Sequence, residues 1–400
     1  MRANLMRAIG LAVLIVGGAA AVVPSVLSEF SLQLMALFLP FTILALSIDL
    51  LWGENRLISF GQGAFFALGG YLAGLVLLGH GSSVSGGGVS LLKDTTTTST
   101  LDSALAALGG VQPAGLPVLG LLLPVAVAGF AGLLIGLVVF RSPAPEVYLP
   151  LITLGIGVVA GIWFNGSAVL GGSNGLSGIP SFTGEIADAG SNVAIYRFNL
   201  LFVLLAYGGY AWFRRSARGL TWRALGDDPV RLEALGYPVK RMRAYGFGAS
   251  CGLAGLAGAL YAGTAGFMGP SLADVSFSAQ PLIWVAVGGV GTLAGPLVGT
   301  LLLKWAEQWL SSGLGLDGSW QLLLGLLLIV VVVFAPRGLM GLRGSGNGLL
   351  SRVPRLPGRG PARPRAPEPA ADSPADHTTS TAAPQLRALL SNTTKTKEPS

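Results

Sequence analysis

The sequence has little charge and almost no cysteine or histidine. Lys, Arg, Asp and Glu make up 11% of its 400 residues, whereas soluble domains carry about 25%. The single cysteine, Cys251, can neither form an internal disulfide nor supply a metal framework. The two histidines, His80 and His377, lie far apart in the chain. These absences argue against a soluble enzyme, a disulfide-stabilised domain and a zinc protein.

Motifs for nucleotide binding and hydrolysis are also missing. The sequence has no GxxxxGK[ST] phosphate loop, no HExxH, no CxxC and no GxSxG. The glycines of GGVGTLAGP are not followed by Lys and then Ser or Thr, so they do not predict a nucleotide site. We therefore expect a non-catalytic chain without a cofactor. Any ATP hydrolysis would have to occur in another chain.

Long apolar segments are abundant. Hydrophobic residues make up 52% of the chain, and the mean hydropathy is +0.67. The pattern predicts an all-α polytopic membrane protein with about 8–10 transmembrane helices, because a helix needs ~20 apolar residues to cross the bilayer and barrel strands would instead alternate. The candidate spans are 8–24, 31–52, 63–79, 117–140, 147–164, 199–213, 244–267, 282–303 and 320–335.

Basic residues beside the spans set the expected topology. The net charge of +7 comes from these flanking segments, as the positive-inside rule requires, so it does not indicate nucleic-acid binding. The N-terminus and the Arg-rich loop 214–243 are expected in the cytoplasm. The loop 80–116, rich in Gly, Ser and Thr, is expected to be flexible and outside, as is 165–198. Residues 1–342 would form the transmembrane domain, and 343–400 a disordered cytoplasmic tail.

The segment 282–303 does not fit a simple count of crossings. Nine full crossings would place the Arg-rich C-terminus outside. The segment is interrupted by five residues, Gly288, Gly289, Gly291, Gly295 and Pro296. Non-helical backbone at membrane depth is tolerated where protein or a water-filled path surrounds it. We therefore expect 282–303 to be re-entrant, which leaves eight full crossings.

Small residues recur at a spacing of four in several spans. The pairs include Gly70 and Gly74, Gly132 and Gly136, Gly157 and Gly161, Gly248 and Gly252, and Gly291 and Gly295. This spacing places both glycines on one helix face and predicts close helix packing. A smooth, weakly polar channel for a small solute is the alternative use of the same surface.

Few polar groups lie inside the spans. Asp49 is the only formal charge in any of them. It is either an interfacial carboxylate that pairs with Arg56 or a group that lines or gates a pathway. The candidate pathway residues are Asp49, Gln62, Thr153, Gln280 and Trp284, with Asn165 as a weaker one. Gln280 and Trp284 are four residues apart and would share a helical face.

The loop 214–243 contains the signs of two short helices. Thr221 is expected to cap a helix over 222–226, and Asp228 followed by Pro229 is expected to begin a second one. Gly236 would end that helix. Two short amphipathic helices in a basic loop predict a docking surface for a soluble partner, with a loop lying on lipid as the alternative.

Five blocks of the sequence resemble the permease subunits of ABC importers for branched-chain amino acids and urea. The resemblance runs from about Leu37 to Leu342. The blocks are ALSIDLLWGENRLISFGQGAFFALGGYLAG, VYLPLITLGIG, GGSNGLSGIP, the long RRSARGLTWRALGDDPVRLEALGYPVKRMRAYGFGASCGLAGLAGALYA, and IWVAVGGVGTLAGPLVG with FAPRGLMGL after it. Two blocks look closest to the urea type, although that type usually has a basic residue at Val290 and histidine at Gln62.

The resemblance implies a permease subunit that forms half of a translocation pathway for a small polar solute. Urea or a short amide is the expected solute, and a branched-chain amino acid is the alternative. The implied partners are a second homologous permease, two ABC ATPase subunits, an extracytoplasmic solute-binding protein and membrane lipid, in the bacterial inner membrane. An ion-coupled secondary transporter is a remote alternative. The implied ATPase-coupling residues are Gly219, Arg223, Ala224, Asp227, Asp228, Ala234 and Gly236.

Overall fold

The described part of the chain is a bundle of α-helices. A computed structural model describes residues 24, 28–78, 116–142, 145–182, 191–314, 323, 325–327 and 338–339. All of them belong to the first of two compact units, Met1–Gly346, and none to the second, Asn347–Ser400. The expected first span, the expected flexible loop 80–116, nearly all of the span 320–335 and the expected tail 343–400 therefore lie outside the described residues.

Ten α-helices occur within these residues. They are α1 Glu29–Asn55, α2 Gln62–Leu78, α3 Leu116–Val139, α4 Pro145–Gly166, α5 Ser191–Arg215, α6 Ala217–Asp227, α7 Pro229–Ala234, α8 Val239–Ala265, α9 Val275–Gly288 and α10 Gly295–Leu314. Four of these helices, α1, α3, α4 and α5, contain a stretch that is long and apolar enough to cross a membrane. The two strands have two residues each. The all-α expectation is confirmed.

Helix α1 is the central element of the bundle. It begins at the N-cap Ser28, whose hydroxyl accepts from the N–H of Ser31, and ends at Arg56, whose φ of 56° is left-handed. Nearly every side chain in its second half is buried. Helix α5 runs parallel to it, because Asn199 donates to the carbonyl of Ala36 near the start of α1 and Tyr210 donates to Asp49 near its end.

Glycines let α8 approach α2 and α3 at backbone distance, as their spacing predicted. A Cβ added at Gly258 would overlap the carbonyl oxygen of Phe66, and one at Gly69 would lie 2.5 Å from the Cα of Gly255. On the other side of α8, a Cβ at Gly132 would lie 2.5 Å from the Sγ of Cys251. We call this surface the glycine interface, and it includes Gly69, Gly132, Gly248, Gly255 and Gly258.

The two ends of the bundle differ in structure. Helix α8 starts beside α6 and α7, where Val239 packs with Leu225 and Leu232. It ends, 27 residues later, beside the strand pair β1 Leu176–Ser177 and β2 Phe267–Met268. We call the first of these ends the basic end, because Arg56, Arg214 and Arg223 lie there. The block 171–180 lies at the opposite end.

The segment 282–303 is not a single element, and its expected re-entrant form stays a prediction. It contains the end of α9, a turn over 289–294 and the first part of α10. The two helices pack as a hairpin, because a Cβ at Gly299 would overlap the carbonyl oxygen of Trp284. The expected interruption is therefore confirmed, because the glycines make a turn between two packed helices.

The loop 214–243 contains two short helices, as expected, but the first begins earlier. Its N-cap is Ser216, whose hydroxyl accepts from the N–H of Gly219, whereas Thr221 lies inside α6 and donates to the carbonyl of Ala217. The expected Thr221 cap is therefore wrong. The second cap is confirmed, because the Asp228 carboxylate accepts from the N–H of Arg231 at 3.1 Å.

Candidate functional site

A buried carboxylate organises the basic end. Glu54 lies in the last turn of α1, and its side chain is 2% exposed. Its Oε1 lies 2.6 Å from the Nε of Arg214 on α5, and its Oε2 lies 3.1 Å from the Nε of Arg223 on α6. One carboxylate thus joins three helices. A buried charge is tolerated only when it is paired in this way.

Asp49, one turn and a half before Glu54, is fully buried and has different partners from those expected. Its Oδ1 accepts from the N–H of Gly291 at 2.7 Å, and its Oδ2 accepts from the hydroxyl of Tyr210 at 2.9 Å. It does not pair with Arg56, which instead binds Asp227 at 2.8 Å on the surface. The alternative in which Asp49 pairs with Arg56 is therefore wrong, and its place in a pathway stays a prediction.

Gly291, in the turn between α9 and α10, forms hydrogen bonds through both its N–H and its carbonyl group. Its N–H donates to Asp49 of α1, and its carbonyl accepts from Arg214 of α5 at 2.9 Å. Tyr210 also contacts Glu54 at 3.2 Å and so links the two carboxylates. We call this set the ionic network, and it consists of Asp49, Glu54, Tyr210, Arg214, Arg223 and Gly291.

The expected coupling residues lie together at the basic end. Gly219 is buried, and a Cβ there would overlap the carbonyl oxygen of Phe213, so only glycine fits the tight connection from α5 to α6. Gly236 follows α7 with a φ of 88°. The carbonyl of Ala224 accepts from the N–H of Asp228, and Ala234 is the last residue of α7.

Helices α6 and α7 also expose apolar side chains. Leu220, Val230 and Leu235 are 62%, 74% and 75% exposed, although charged residues surround them. The inner face of the same segment packs inward through Leu225 and Leu232, which are buried. The segment is therefore anchored on one side and presents an uncovered apolar and charged surface on the other.

Two of the expected pathway residues lie together where α2 begins. Gln62 is fully buried, and its amide donates to the hydroxyl of Ser250 on α8 at 2.8 Å. Among the described residues, its Oε1 has no hydrogen-bond partner. Thr153 on α4 accepts from the N–H of Phe60 at 3.1 Å. A Cβ at Gly61 would lie 2.7 Å from the Thr153 carbonyl oxygen, so α4 and the start of α2 are in contact.

Trp284 lies in a separate aromatic cluster in the interior. Its ring centroid is 5.6 Å from that of Phe41 on α1, and Phe41 is 5.8 Å from Phe66 on α2. Gln280, one turn earlier on α9, is half-buried. Asn165 lies near the end of α4 and is exposed. Trp284 therefore has different contacts from those of Gln62 and Thr153.

The sequence analysis missed three charged residues, of which Glu54 and Lys304 are buried and Glu307 is half-buried. Glu54 was outside the candidate list, and Lys304 and Glu307 lie on α10 just beyond the span that ended at residue 303. The Nζ of Lys304 is 2.8 Å from Glu307 and 4.7 and 5.0 Å from the ring centroids of Phe41 and Trp284. A Lys and a Glu three apart in an apolar helix, as in LLLKWAEQWL, would have indicated this pair.

The chemistry of these groups is that of binding and movement. No group of three His, Cys, Asp or Glu side chains capable of holding a metal occurs in the described ranges. The charged side chains instead connect helices at the basic end, and the interior contains aromatic rings, an amide and an ion pair. Such an arrangement can hold a polar solute and can transmit a displacement between helices.

Comparisons with known proteins agree with this arrangement. The family model described as branched-chain amino acid transport system / permease component matches residues 30–333. The high-affinity branched-chain amino acid transport system permease protein LivM of Escherichia coli strain K12 is 26% identical over 341 residues, covering 79% of this chain and 71% of that protein. The protein of the same name from Salmonella typhimurium has the same identity and coverage. No solved structure matches.

The match extends over both parts of the candidate site. Residues 30–333 include α1, the short helices α6 and α7, and the α9–α10 hairpin. The family model therefore covers the ionic network and the aromatic interior together. The apolar helices are those of a multi-pass membrane protein. This chain belongs to the family of permease components of branched-chain amino acid transport systems.

Proposed function

We propose that this chain is the permease subunit of an ABC importer in the bacterial inner membrane and forms half of a translocation pathway. A second homologous permease would supply the other half. Two ABC ATPase subunits and an extracytoplasmic binding protein would complete the transporter. The observation that carries the proposal is the pair of short helices at the basic end, anchored by Arg223 to α1 and uncovered on its outer face.

The outer face of α6 and α7 suits an ATPase groove. Its exposed apolar residues Leu220, Val230 and Leu235 would be buried on docking, and the charges around them would orient the complex. The two helices are stabilised before docking, because Ser216 and Asp228 cap their N-termini. A preformed segment loses little conformational entropy when it binds.

We further propose that α9 and α10 cross the membrane as a hairpin with a cytoplasmic turn. The turn lies at the basic end, which the positive-inside rule assigns to the cytoplasm. With the span 320–335, this arrangement also returns the Arg-rich C-terminus to the cytoplasm. It removes the need for a re-entrant segment.

The proposed solute is a branched-chain or similar aliphatic amino acid. The family description and the names of both relatives support it. The interior also offers matching chemistry, because Lys304 and Glu307 carry the opposite charges of an amino acid's carboxylate and ammonium groups. The rings of Phe41 and Trp284 beside them offer apolar surface to an aliphatic side chain.

Urea or a short amide is the second candidate. Gln62 favours it, because its buried Oε1 is an acceptor without a partner in the described residues and would suit an amide N–H. An uncharged solute would not form ion pairs with Lys304 and Glu307. The two candidates therefore assign different residues to recognition.

Uptake of radiolabelled leucine and urea separates these candidates. Cells would carry this chain with its neighbouring transporter subunits, and deletion of this chain would be the control. Leucine uptake that disappears on deletion, and that falls in Lys304→Met but not in Gln62→Leu, is the expected result. If deletion abolished urea uptake alone, urea would be the solute and the proposed amino acid would be wrong. If deletion changed neither, the proposed solutes would both be wrong.

A further inference from the structure

The charges of the ionic network balance, and each contact joins two different elements. Two carboxylates face two guanidinium groups, and their contacts link α1, α5 and α6. Replacing such a buried set by apolar residues is often neutral or stabilising, so stability alone gives no reason for it. Its distinguishing property is that it connects α6, α1, α5 and the turn between α9 and α10 through charged groups.

The contacts form a continuous series from the coupling helix to the hairpin turn. Arg223 of α6 binds Glu54, and Glu54 binds Arg214. Arg214 then donates to the carbonyl of Gly291, whose N–H is held by Asp49. If α6 moves relative to α1, either these contacts lengthen or the hairpin turn moves with α6.

The same three elements touch through their backbones, which is an independent observation. A Cβ at Gly226 of α6 would overlap the carbonyl oxygen of Glu54. At the preceding residue of α1, a Cβ at Gly53 would lie 2.7 Å from the Cα of Gly291. Glycine at both contacts leaves no flexible side chain between α6, the end of α1 and the turn. Movement is therefore transmitted with little slack.

The hairpin that this turn joins carries interior residues. Trp284 lies on α9 and Lys304 on α10, and they meet Phe41 of α1 within 5.6 Å and 4.7 Å of its ring centroid. A shift of the turn relative to α1 would change these contacts. The basic end and the aromatic interior are thus linked by one rigid element.

We infer that Glu54 and Arg214 are positioning residues that pass movement of the coupling helices to the α9–α10 hairpin, and so couple ATP hydrolysis to solute passage. This inference rests on the proposed function. It adds to that function a specific route, in which Glu54 joins α6 to α1 and Arg214 joins α1 to the hairpin turn. Energetic coupling of this kind requires contiguous contacts between elements that have two arrangements.

The test is the number of solute molecules moved per ATP hydrolysed. The complete transporter would be reconstituted in vesicles with its binding protein, and labelled leucine uptake and phosphate release would be measured together. Arg214→Met is expected to lower the uptake per ATP about tenfold while ATP hydrolysis continues, which corresponds to a typical coupling between sites. Glu54→Gln is expected to do the same. The double variant should lose no more than either single one, because the two residues act in series.

A matched control distinguishes this role from general stability. Asn199→Leu removes a buried contact between the same helices, α5 and α1, since Asn199 donates to the carbonyl of Ala36 and to the hydroxyl of Thr264. It lies 15 positions before Arg214, about 22 Å along the helix. We expect it to lower stability and to leave uptake per ATP unchanged. Tyr210→Phe, which removes one hydroxyl from the network, is the milder variant should the charged ones assemble poorly.

Four outcomes would be decisive. Normal uptake per ATP in Arg214→Met, Glu54→Gln or Tyr210→Phe would overturn the inference. So would a parallel fall of hydrolysis and uptake, since that would be a structural effect. A native transporter that hydrolyses ATP but moves no leucine would instead overturn the proposed solute, and one without ATP-driven uptake of any solute would overturn the proposed function itself.

Discussion

The glycine interface and the ionic network hold neighbouring helices together in opposite ways. At the glycine interface, α8 meets α2 and α3 backbone to backbone, and no Cβ fits at Gly69 or Gly258. In the ionic network, long side chains such as Arg214 and Arg223 reach across between helices to one carboxylate. The first region is defined by shape and the second by directed charge.

This difference indicates which part of the molecule is suited to move. Closely packed interiors have few alternative arrangements, so α2, α3 and α8 behave as one rigid body. Ion pairs made by long side chains can follow a helix over short distances or exchange partners. Movement between helices is therefore expected at the basic end. The helices packed at the glycine interface, α2, α3 and α8, form the rigid frame relative to which this end moves.

The largest effect is expected from breaking the glycine interface. Gly258→Leu would force the new side chain into the backbone of Phe66, and overpacking cannot be relieved where the opposing group is backbone. We expect little or no folded chain in the membrane. The measurement is the yield of monodisperse protein after extraction in mild detergent.

Gly209→Leu is the matched control, because nothing lies within 4 Å of a Cβ at Gly209 on α5. Leucine is also a better helix former than glycine by about 1 kcal/mol. A normal yield for Gly209→Leu with a lost yield for Gly258→Leu supports a frame defined by shape. Equal yields would contradict it.

A smaller effect is expected from uncharging one member of the ionic network. Glu54→Gln leaves Arg214 and Arg223 without their carboxylate, and breaking a buried pair costs about 3–5 kcal/mol. Asp227→Asn breaks the surface pair with Arg56, whose side chains are 72% and 68% exposed, and such pairs contribute about 0–1 kcal/mol. Thermal unfolding of the purified chain in detergent should show a clear fall for the first variant only.

The buried Glu54 pairs and the exposed Arg56–Asp227 pair should also respond differently to salt. Screening weakens exposed pairs more than buried ones. The unfolding temperature of the native chain should therefore change little when salt is raised. A fall at high salt as large as that caused by Glu54→Gln would mean that the network is open to solvent.

The smallest effect is expected at the end of α7. Gly236 has a φ of 88° and open space around its Cα, so Gly236→Ala adds only backbone strain of about 1–2 kcal/mol. Gly208→Ala on α5, also in open space, should instead stabilise by up to about 1 kcal/mol. Opposite signs in chemical denaturation would confirm that the conformation, and not the packing, requires glycine at 236. Equal signs would contradict it.

The membrane-spanning helices were predictable because one local property, a long run of apolar residues, marks each of them. Six spans predicted from apolar runs correspond to α1, α2, α3, α4, α5 and α8. Their ends differ by one to five residues, except that α5 begins eight residues before the predicted start. The run 282–303 contains parts of two apolar helices joined by a short glycine turn, and mean hydropathy alone does not detect a turn. Ser216 was missed as a cap for a related reason, since α6 follows α5 almost without interruption.

The site was less predictable because its contacts join residues that are far apart in the chain. Asp49 was identified as a charge in a span, but its bonds to Tyr210 and Gly291 bridge 161 and 242 positions. Arg56 was a natural partner by proximity, yet it points to Asp227. Glu54 was missed because it follows the apolar run, where a charged residue is ordinary. No sequence pattern specifies such long-range partners.

The most direct measurement is retention of an ABC ATPase by this chain through the basic end. The chain would be purified with its neighbouring transporter subunits as the Val230→Asp and Leu235→Asp double variant, beside the native chain. Phe30→Asp would be the control, because Phe30 is 65% exposed at the opposite end of α1. The account predicts ATPase retained by the native chain and the control and lost from the double variant. An ATPase that stays fully bound to the double variant would contradict docking at α6 and α7.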